Sequence, residues 1–178
     1  GRAYRGGATK NLAMRMKAAQ QLVYGEQIGW FPPGIIDEKE NADFLKQIIA
    51  LRWHLRRYFH AGRMARPPRP LGKITTVRAD WRWSGNWWVE NPALETGSWR
   101  LPDENRAVFF AVNVSDKPIA TRIKLDLADY GLDGDHFQAT HLTATSPSDI
   151  TETITTVSRR VDKELTIPPR TAWAWEIK

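Results

Sequence analysis

Tryptophan side chains cluster in the middle of the chain, where their rings could take part in sugar recognition. They occur at Trp81, Trp83, Trp87, Trp88 and Trp99. Aromatic rings aligned on a sheet face bind sugar chains because they stack against the apolar faces of the sugars. Large aromatic rings also pack at junctions between domains, and Trp81 and Trp83 alternate as one face of a strand should. Packing is the favoured interpretation, and sugar binding by Trp83, Trp87 and Trp88 is the alternative.

The residues that could bind a metal do not have the spacing of known metal-binding motifs. His54 and His60 fall in one predicted helix, but their separation of six residues puts them on different faces. Residues 126–135 are rich in aspartate but lack the spacing of an EF-hand calcium loop, so they are interpreted as a solvated acidic turn. The absence of cysteine excludes disulfides and thiolate metal sites. We therefore expect neither a metal nor another cofactor.

A basic segment could contact an anionic partner. The chain has 26 Lys and Arg against 20 Asp and Glu, a net charge of +6. Much of the excess lies in one stretch without acidic residues, at Arg52, Arg56, Arg57, Arg63, Arg66 and Arg69. A solvated helix face followed by a linker is the favoured interpretation, so no nucleic-acid partner is expected. The alternative is a basic nucleic-acid binder, which predicts salt-sensitive binding to any duplex.

Length and composition are those of a soluble globular protein. A length of 178 residues permits one domain, or one domain with a helical appendage, and the second is expected. The 42% apolar and 26% charged side chains indicate neither a disordered chain nor a membrane span, so no membrane partner is expected. The first residues lack an initiator Met and an apolar signal region, so we expect the natural amino terminus to lie upstream. A chain without cysteine suits an exported or a cytosolic protein. Localisation is left open, with a secreted or periplasmic parent as one expectation.

The first third of the chain has helical periodicity. Apolar residues near a 3.6-residue spacing predict a helix over residues 10–23, with Thr9 as its cap. Residues 22–25 are predicted to form a short buried strand, and residues 26–34 a loop rich in Gly and Pro.

The strongest helical pattern covers residues 38–61. Asp37 and Glu40 have the spacing of a capping box. One helix face is apolar except at Arg52, and it is formed by Leu45, Ile48, Ile49, Arg52, Leu55 and Phe59. Gly62 supplies a stop, and the prolines at 67, 68 and 70 form a stiff connector. Helix, strand, loop and helix in this order are typical of a terminal βα unit.

After Lys73 the pattern changes to the two-residue period of strands. Residues 108–114 and 119–127 alternate on either side of a Ser-Asp-Lys-Pro turn and predict a hairpin with one buried face. Further strands are predicted at 74–78, 81–83, 87–89, 137–142, 150–157 and 171–177. Trp173, Trp175 and Ile177 share one strand face and are expected to fill a core without a ligand role. Short strands joined by turns predict an antiparallel β-sandwich.

Three segments carry a family resemblance. Residues 105–119, Asn-Arg-Ala-Val-Phe-Phe-Ala-Val-Asn-Val-Ser-Asp-Lys-Pro-Ile, are similar to the hairpin of carboxyl-terminal β-sandwiches in glycoside hydrolases with (β/α)8 barrels. Residues 167–177, Ile-Pro-Pro-Arg-Thr-Ala-Trp-Ala-Trp-Glu-Ile, look like their last strand. Residues 24–30, Tyr-Gly-Glu-Gln-Ile-Gly-Trp, resemble the eighth barrel strand and its loop. The resemblance covers nearly the whole chain.

The resemblance implies an α+β fold made from part of a larger enzyme. Residues 1–70 would be the terminal βα unit and last helix of the barrel, and residues 71–178 the antiparallel β-sandwich. A complete barrel takes about 250 residues, so the remainder of the barrel, in the same polypeptide or another fragment, is the expected partner. Carbohydrate is the expected ligand. An isolated eighth strand would leave unpaired backbone groups, so this region must repack or associate.

The same resemblance assigns roles to Glu26, Gln27 and Trp30, which would follow a barrel strand where active sites form. Glu26 and Gln27 would hydrogen-bond sugar hydroxyls, and Trp30 would stack on a sugar face. The alternative is a structural salt bridge for Glu26 and packing beneath the loop for Trp30. Glycoside hydrolysis usually needs two carboxylates, so no catalytic residue is assigned and the chain alone is expected to be inactive.

Overall fold

Helices come first in the chain and strands follow. The computed structural model describes residues 7–81, 88–146 and 148–178. The helices are α1 (Ala8–Val23), α2 (Lys39–His54) and α3 (Arg56–Ala61), and a 3-10 helix precedes α2 at Pro33–Asp37. The predicted helices are confirmed, although Leu55 divides the second one into α2 and α3. In the described ranges, no helix combines the length and apolar character needed to cross a membrane.

After α3 the described chain consists mainly of strands that pair antiparallel, with 3-10 helices at Pro102–Glu104 and Leu127–Tyr130. The strands are β1 (Arg63–Ala65), β2 (Pro70–Leu71), β3 (Thr76–Asp80), β4 (Trp88–Pro92), β5 (Leu94–Leu101), β6 (Arg106–Asn113), β7 (Ile119–Asp126), β8 (His136–Ser146), β9 (Asp149–Ser158), β10 (Arg160–Ile167) and β11 (Thr171–Ile177). The main sheet has the order β1-β5-β6-β11-β8-β9, the small sheet the order β10-β7-β2, and β3 pairs with β4. The α+β class with a sandwich-like arrangement is confirmed.

The main sheet lies between the helices and the small sheet. In β6 every residue from Ala107 to Asn113 is buried. Val108 and Phe110 belong to a core that they share with residues of α1 and α2. Phe109 points the other way and packs with Leu127 and Tyr130. A strand that is apolar on both faces needs a cover on both sides, and this sequence supplies helices on one side and strands on the other.

The predicted hairpin of residues 108–114 and 119–127 is wrong in its pairing. β6 pairs with β5 and β11, whereas β7 pairs with β10 and β2 in the small sheet. The turn between them therefore crosses from one sheet to the other. β7 alternates buried and exposed residues along most of its length, while β6 is buried from Ala107 to Asn113, so β7 suits an outer layer and β6 suits the central one.

The predicted strand at residues 22–25 is also wrong. Leu22 and Val23 are the last residues of α1, and Gly25 follows with φ of 71°. Within the described residues no barrel is evident. A strand here would need neighbouring strands for its backbone groups, whereas a continued helix satisfies them internally. The amide of Tyr24 donates to the Gln20 carbonyl at 2.9 Å and extends this pattern to the helix end.

The predicted capping box is replaced by contacts between helices. Asp37 ends the 3-10 helix, and Glu38 occupies the N-cap position of α2. The side chains of Glu38 and Glu40 both accept hydrogen bonds from the Asn11 amide of α1. Glu40 is therefore used to join α2 to α1 rather than to cap its own helix.

Candidate functional site

The loop at residues 24–32 begins from a fixed point on the main sheet. The indole nitrogen of Trp99 in β5 donates to the carbonyl of Val23 at 3.0 Å, at the end of α1. Gly97 lies beside it, where a Cβ atom would come within 2.6 Å of the Val23 Cβ. A Cβ atom on Gly25 would come within 2.6 Å of the Trp99 ring. Two glycines thus allow α1 to end directly on β5 and set where the loop starts.

Two side chains of α1 hold the loop from behind. Gln21 makes a pair of hydrogen bonds with the backbone of Gly29, each of 3.3 Å. Lys17, one turn earlier, donates to the Trp30 carbonyl at 2.7 Å and lies 5.0 Å from the centre of the Phe31 ring. Residues four apart lie on the same face of a helix, so α1 presents both anchors to the loop.

The structure places the three predicted sugar contacts on the outer side of this loop. Glu26 and Gln27 are exposed, and Trp30 is 91% exposed with φ of 64°. Tyr24 on the same loop is 55% exposed. Burial lowers the pKa of the Lys17 ammonium, and the nearby charge of Glu26 opposes this shift. A carboxylate, an amide and exposed aromatic rings therefore share one short segment, beside the Lys17 ammonium group of α1.

These groups can bind a polyhydroxylated ligand but lack the pair needed for hydrolysis. The carboxylate and the amide can accept or donate hydrogen bonds, and an exposed indole offers an apolar face. Residues 24–32 contain one acid, Glu26. A retaining glycosidase needs two carboxyl groups about 5 to 5.5 Å apart. The chemistry available on this loop is therefore recognition.

Lys17 is the residue of this site that the sequence did not single out. It lies one helical turn before Gln21, and the loop returns to both side chains. Their spacing along α1 is visible in the sequence as a polar pair on one helix face. The spacing of Lys17 and Gln21 could therefore be read from the sequence. That both side chains bind the loop depends on the folded conformation of residues 24–32, which the sequence pattern does not show.

The alternative aromatic site is described only in part. Trp83 and Trp87 lie outside the described residues. Trp88 in β4 is 45% exposed, and the Arg78 guanidinium lies 4.9 Å from its ring centre. One face of Trp88 is thus covered by a cation. Trp99 meets Phe59 edge-on at 5.4 Å between ring centres, which agrees with packing rather than ligand binding.

A partly buried carboxyl on β5, that of Glu95, was also not anticipated from the sequence. Glu95 accepts a hydrogen bond of 3.1 Å from Asn91. Burial raises the pKa of Glu95, and hydrogen bonds from Asn91 and Gln20 oppose the shift. Among the described residues, no group of three His, Cys, Asp or Glu side chains is arranged to hold a metal ion.

No family model and no curated protein matches this chain. Solved structures of glycoside hydrolases resemble it in part. A family 51 α-L-arabinofuranosidase from Thermotoga petrophila matches with a TM-score of 0.39 and 17% identity, over 60% of this chain and 24% of that one. A family 27 β-L-arabinopyranosidase from Geobacillus stearothermophilus, solved with arabinose, matches with a TM-score of 0.41 and 14% identity, over 98% of this chain and 32% of that one.

A family 30 endoxylanase from Clostridium papyrosolvens has a TM-score of 0.41 and 9% identity, over 98% of this chain and 40% of that one. The chain thus resembles part of glycoside hydrolases and spans about a quarter to two fifths of the length of these structures.

Proposed function

We propose that the chain is the carboxyl-terminal part of a glycoside hydrolase, in which the loop at residues 24–32 contributes Glu26, Gln27 and Trp30 to sugar binding. Residues 1–70 belong in this proposal to the barrel side and residues 71–178 to a β-sandwich that stabilises it. The observation that supports sugar binding is the position of Trp30. Its side chain is 91% exposed, while its backbone carbonyl accepts a hydrogen bond from Lys17. The ring is presented to solvent from an anchored backbone.

An exposed and anchored indole suits a sugar ligand. Stacking requires a ring whose face is accessible and whose backbone loses little freedom on binding. Gln21 and Lys17 supply that restraint before any ligand arrives. Glu26 and Gln27 add hydrogen-bonding groups that could fix the orientation of the hydroxyls.

The proposal assigns no catalysis to this chain by itself. One carboxylate on the loop cannot act as both acid and nucleophile or base. The missing partner in the proposal is the remainder of the barrel, which would supply the catalytic pair. Apolar side chains left exposed on the helical side, such as Ile36 and Trp53, are available to contact it.

Titration of the chain with arabino- and xylo-oligosaccharides tests the sugar-binding loop. Affinities are measured in every variant from the backbone amide signals of residues 24–32, and the wild type adds the NMR signal of the Trp30 indole N–H, assigned by its disappearance in Trp30→Ala. We expect saturable shifts of this signal in the wild type and an affinity loss of about tenfold or more in Trp30→Ala, since a lost aromatic contact costs about 1.4 kcal/mol or more.

The matched control is Trp53→Ala, because Trp53 is 63% exposed but lies on α2, away from the loop in sequence. Its affinity should equal that of the wild type. Equal affinities for wild type and Trp30→Ala would overturn the proposed role of the loop. A loss confined to Trp88→Ala would instead support the alternative of a carbohydrate-binding module on β4.

A further inference from the structure

An apolar cleft lies between the main sheet and the small sheet. Its volume is about 130 Å³. Ala139, His141, Thr153, Lys163, Leu165 and Trp175 are among the residues that line it. β9 and β10 follow one another in the chain but form the edges of different sheets. The cleft occupies the space between these two edge strands and the central strand β11.

The cleft is open on the side of the two edge strands. At the end where β9 meets β10, Arg159 donates to Asp126 at 2.9 Å and ties the two sheets together. Thr153 and Thr155 in β9 lie opposite His141 and Ala139 in β8, so their side chains share the cleft face of the main sheet. These threonines and Lys163 are exposed, and Trp175 is only partly buried although it lies on an inner strand. The cleft is therefore reachable from solvent.

One wall of the cleft is aromatic. The rings of His141 and Trp175 stack with centres 4.9 Å apart and planes 14° from parallel. Trp173 meets the same His141 ring edge-on at 4.8 Å. Leu165 of β10 contributes an aliphatic side chain to the lining. Such a surface favours a flat apolar ligand, because aromatic rings pack well against stacked or edge-on neighbours.

His141 also leaves one polar atom without a partner. Its Nε2 atom is buried and makes no hydrogen bond to any residue that the structure describes. Burial lowers the pKa of His141, and the charge of Lys163 lowers it further, so the ring is neutral near pH 7. A neutral imidazole nitrogen either donates or accepts a hydrogen bond, depending on the tautomer. A hydroxyl group satisfies either case.

We propose that this cleft binds a small aromatic alcohol of the size of phenol, with its ring beside Trp175 and Leu165 and its hydroxyl bonded to His141 Nε2. A dry cavity of about 150 Å³ is known to accept benzene, so the volume is of the right order. A monosaccharide fits the lining less well, because it would bury several hydroxyls against mainly apolar side chains. The site is separate from the loop at residues 24–32.

Calorimetric titration of the full chain with phenol and with benzene tests the proposal. We expect phenol to bind about tenfold more tightly than benzene, as one hydrogen bond to a buried group would give. In His141→Phe, which keeps an aromatic ring but removes the nitrogen, the two ligands should bind equally. The control Thr156→Val, on the opposite face of β9, should keep the wild-type ratio.

A second variant keeps the test decisive if His141→Phe does not fold. Leu165→Trp should fill the cleft and abolish phenol binding while the spectrum of the folded protein persists. Absence of phenol binding at 10 mM, taken as roughly tenfold above a millimolar Kd, would overturn the proposal. The proposal would also be overturned if the ratio of the phenol and benzene affinities were unchanged in His141→Phe, or if xylose bound more tightly than phenol.

Discussion

Arg15 shows how single side chains join the layers of this molecule. It is 1% exposed, and its Nε donates to the carbonyl of Val114 at 2.8 Å. Its guanidinium also lies 3.1 Å from Asp116 and 3.6 Å from Glu40. Arg170 contacts the same two acids from the turn before β11. Two arginines and two carboxylates thus connect α1, α2 and two turns of the sheets.

Replacement of Arg15 by Met should destabilise the fold by about 3 kcal/mol. The variant removes the donor to a backbone carbonyl and leaves Asp116 and Glu40 with one cation fewer. Urea denaturation followed by circular dichroism measures the change. Lys46→Met on the exposed side of α2 is the control and should lie within about 0.5 kcal/mol of the wild type. A cost for Arg15→Met as small as that of the control would contradict this role.

Glu95 predicts a pH dependence of stability. Because burial raises its pKa above the ordinary value, the folded protein retains a proton that the unfolded chain has released in the interval between the two values. The contribution of Glu95 to the free energy of unfolding is therefore fully present below the ordinary glutamate pKa of about 4.3, and it decreases as pH rises through the interval.

In Glu95→Gln this loss should disappear, so the variant should gain stability relative to the wild type over the pH range above the ordinary glutamate pKa of about 4.3. Unfolding free energies across that range provide the measurement. Glu164→Gln, at an exposed position of β10, is the control and should follow the wild-type profile. Parallel profiles for Glu95→Gln and the wild type would refute the prediction.

At the scale of elements, patterns local to one segment were predictive and choices of partner were not. The helical periodicities of residues 10–23 and 38–61 located α1, α2 and α3, because the apolar residues on the buried face of a helix recur about every 3.6 residues. The break at Leu55 and the loss of the strand at residues 22–25 depended on what the segments pack against. β5 was missed because Gly97 and Glu95 weaken its strand pattern.

The close contact of α1 with β5 gives a prediction about the loop. Gly97→Ala should destabilise the fold by about 1 to 3 kcal/mol, because its Cβ would overlap Val23. The same shift of the helix end should change the NMR signals of the loop at residues 24–32. Gly29→Ala is the matched control for the change in stability, since nothing lies within 4 Å of its Cβ position. An unchanged melting temperature for Gly97→Ala would contradict the close approach.

At the scale of the whole molecule, the fold class was predictable but the sheet order was not. Alternating strands after Lys73 indicated a sandwich, because one buried face per strand is visible in the sequence. The sequence did not reveal that β6 is central. The apolar residues of segment 108–114 fit both a strand of a hairpin with one buried face and a central strand buried on both faces. For the candidate site, Glu26, Gln27 and Trp30 were chosen through the resemblance, and their role in sugar binding stays a prediction.

The shared core predicts that the helices and the main sheet unfold together. Met14 of α1, Phe44 of α2 and Phe110 of β6 belong to one cluster of buried residues. Far-ultraviolet circular dichroism, which follows the helices, and NMR signals of β6 should therefore lose their native values at the same urea concentration. Separate transitions would show that the helical part and the sandwich are independent units.

The exposure of Trp30 has an optical consequence. An indole in water emits at longer wavelengths than one in an apolar core, and it is open to collisional quenchers such as acrylamide. A ring 91% exposed on an anchored loop should supply a strongly quenched, red-shifted component of the emission. Anything that covers the ring face will shield it, so the chain contains an intrinsic fluorescent reporter of occupancy that needs no added dye.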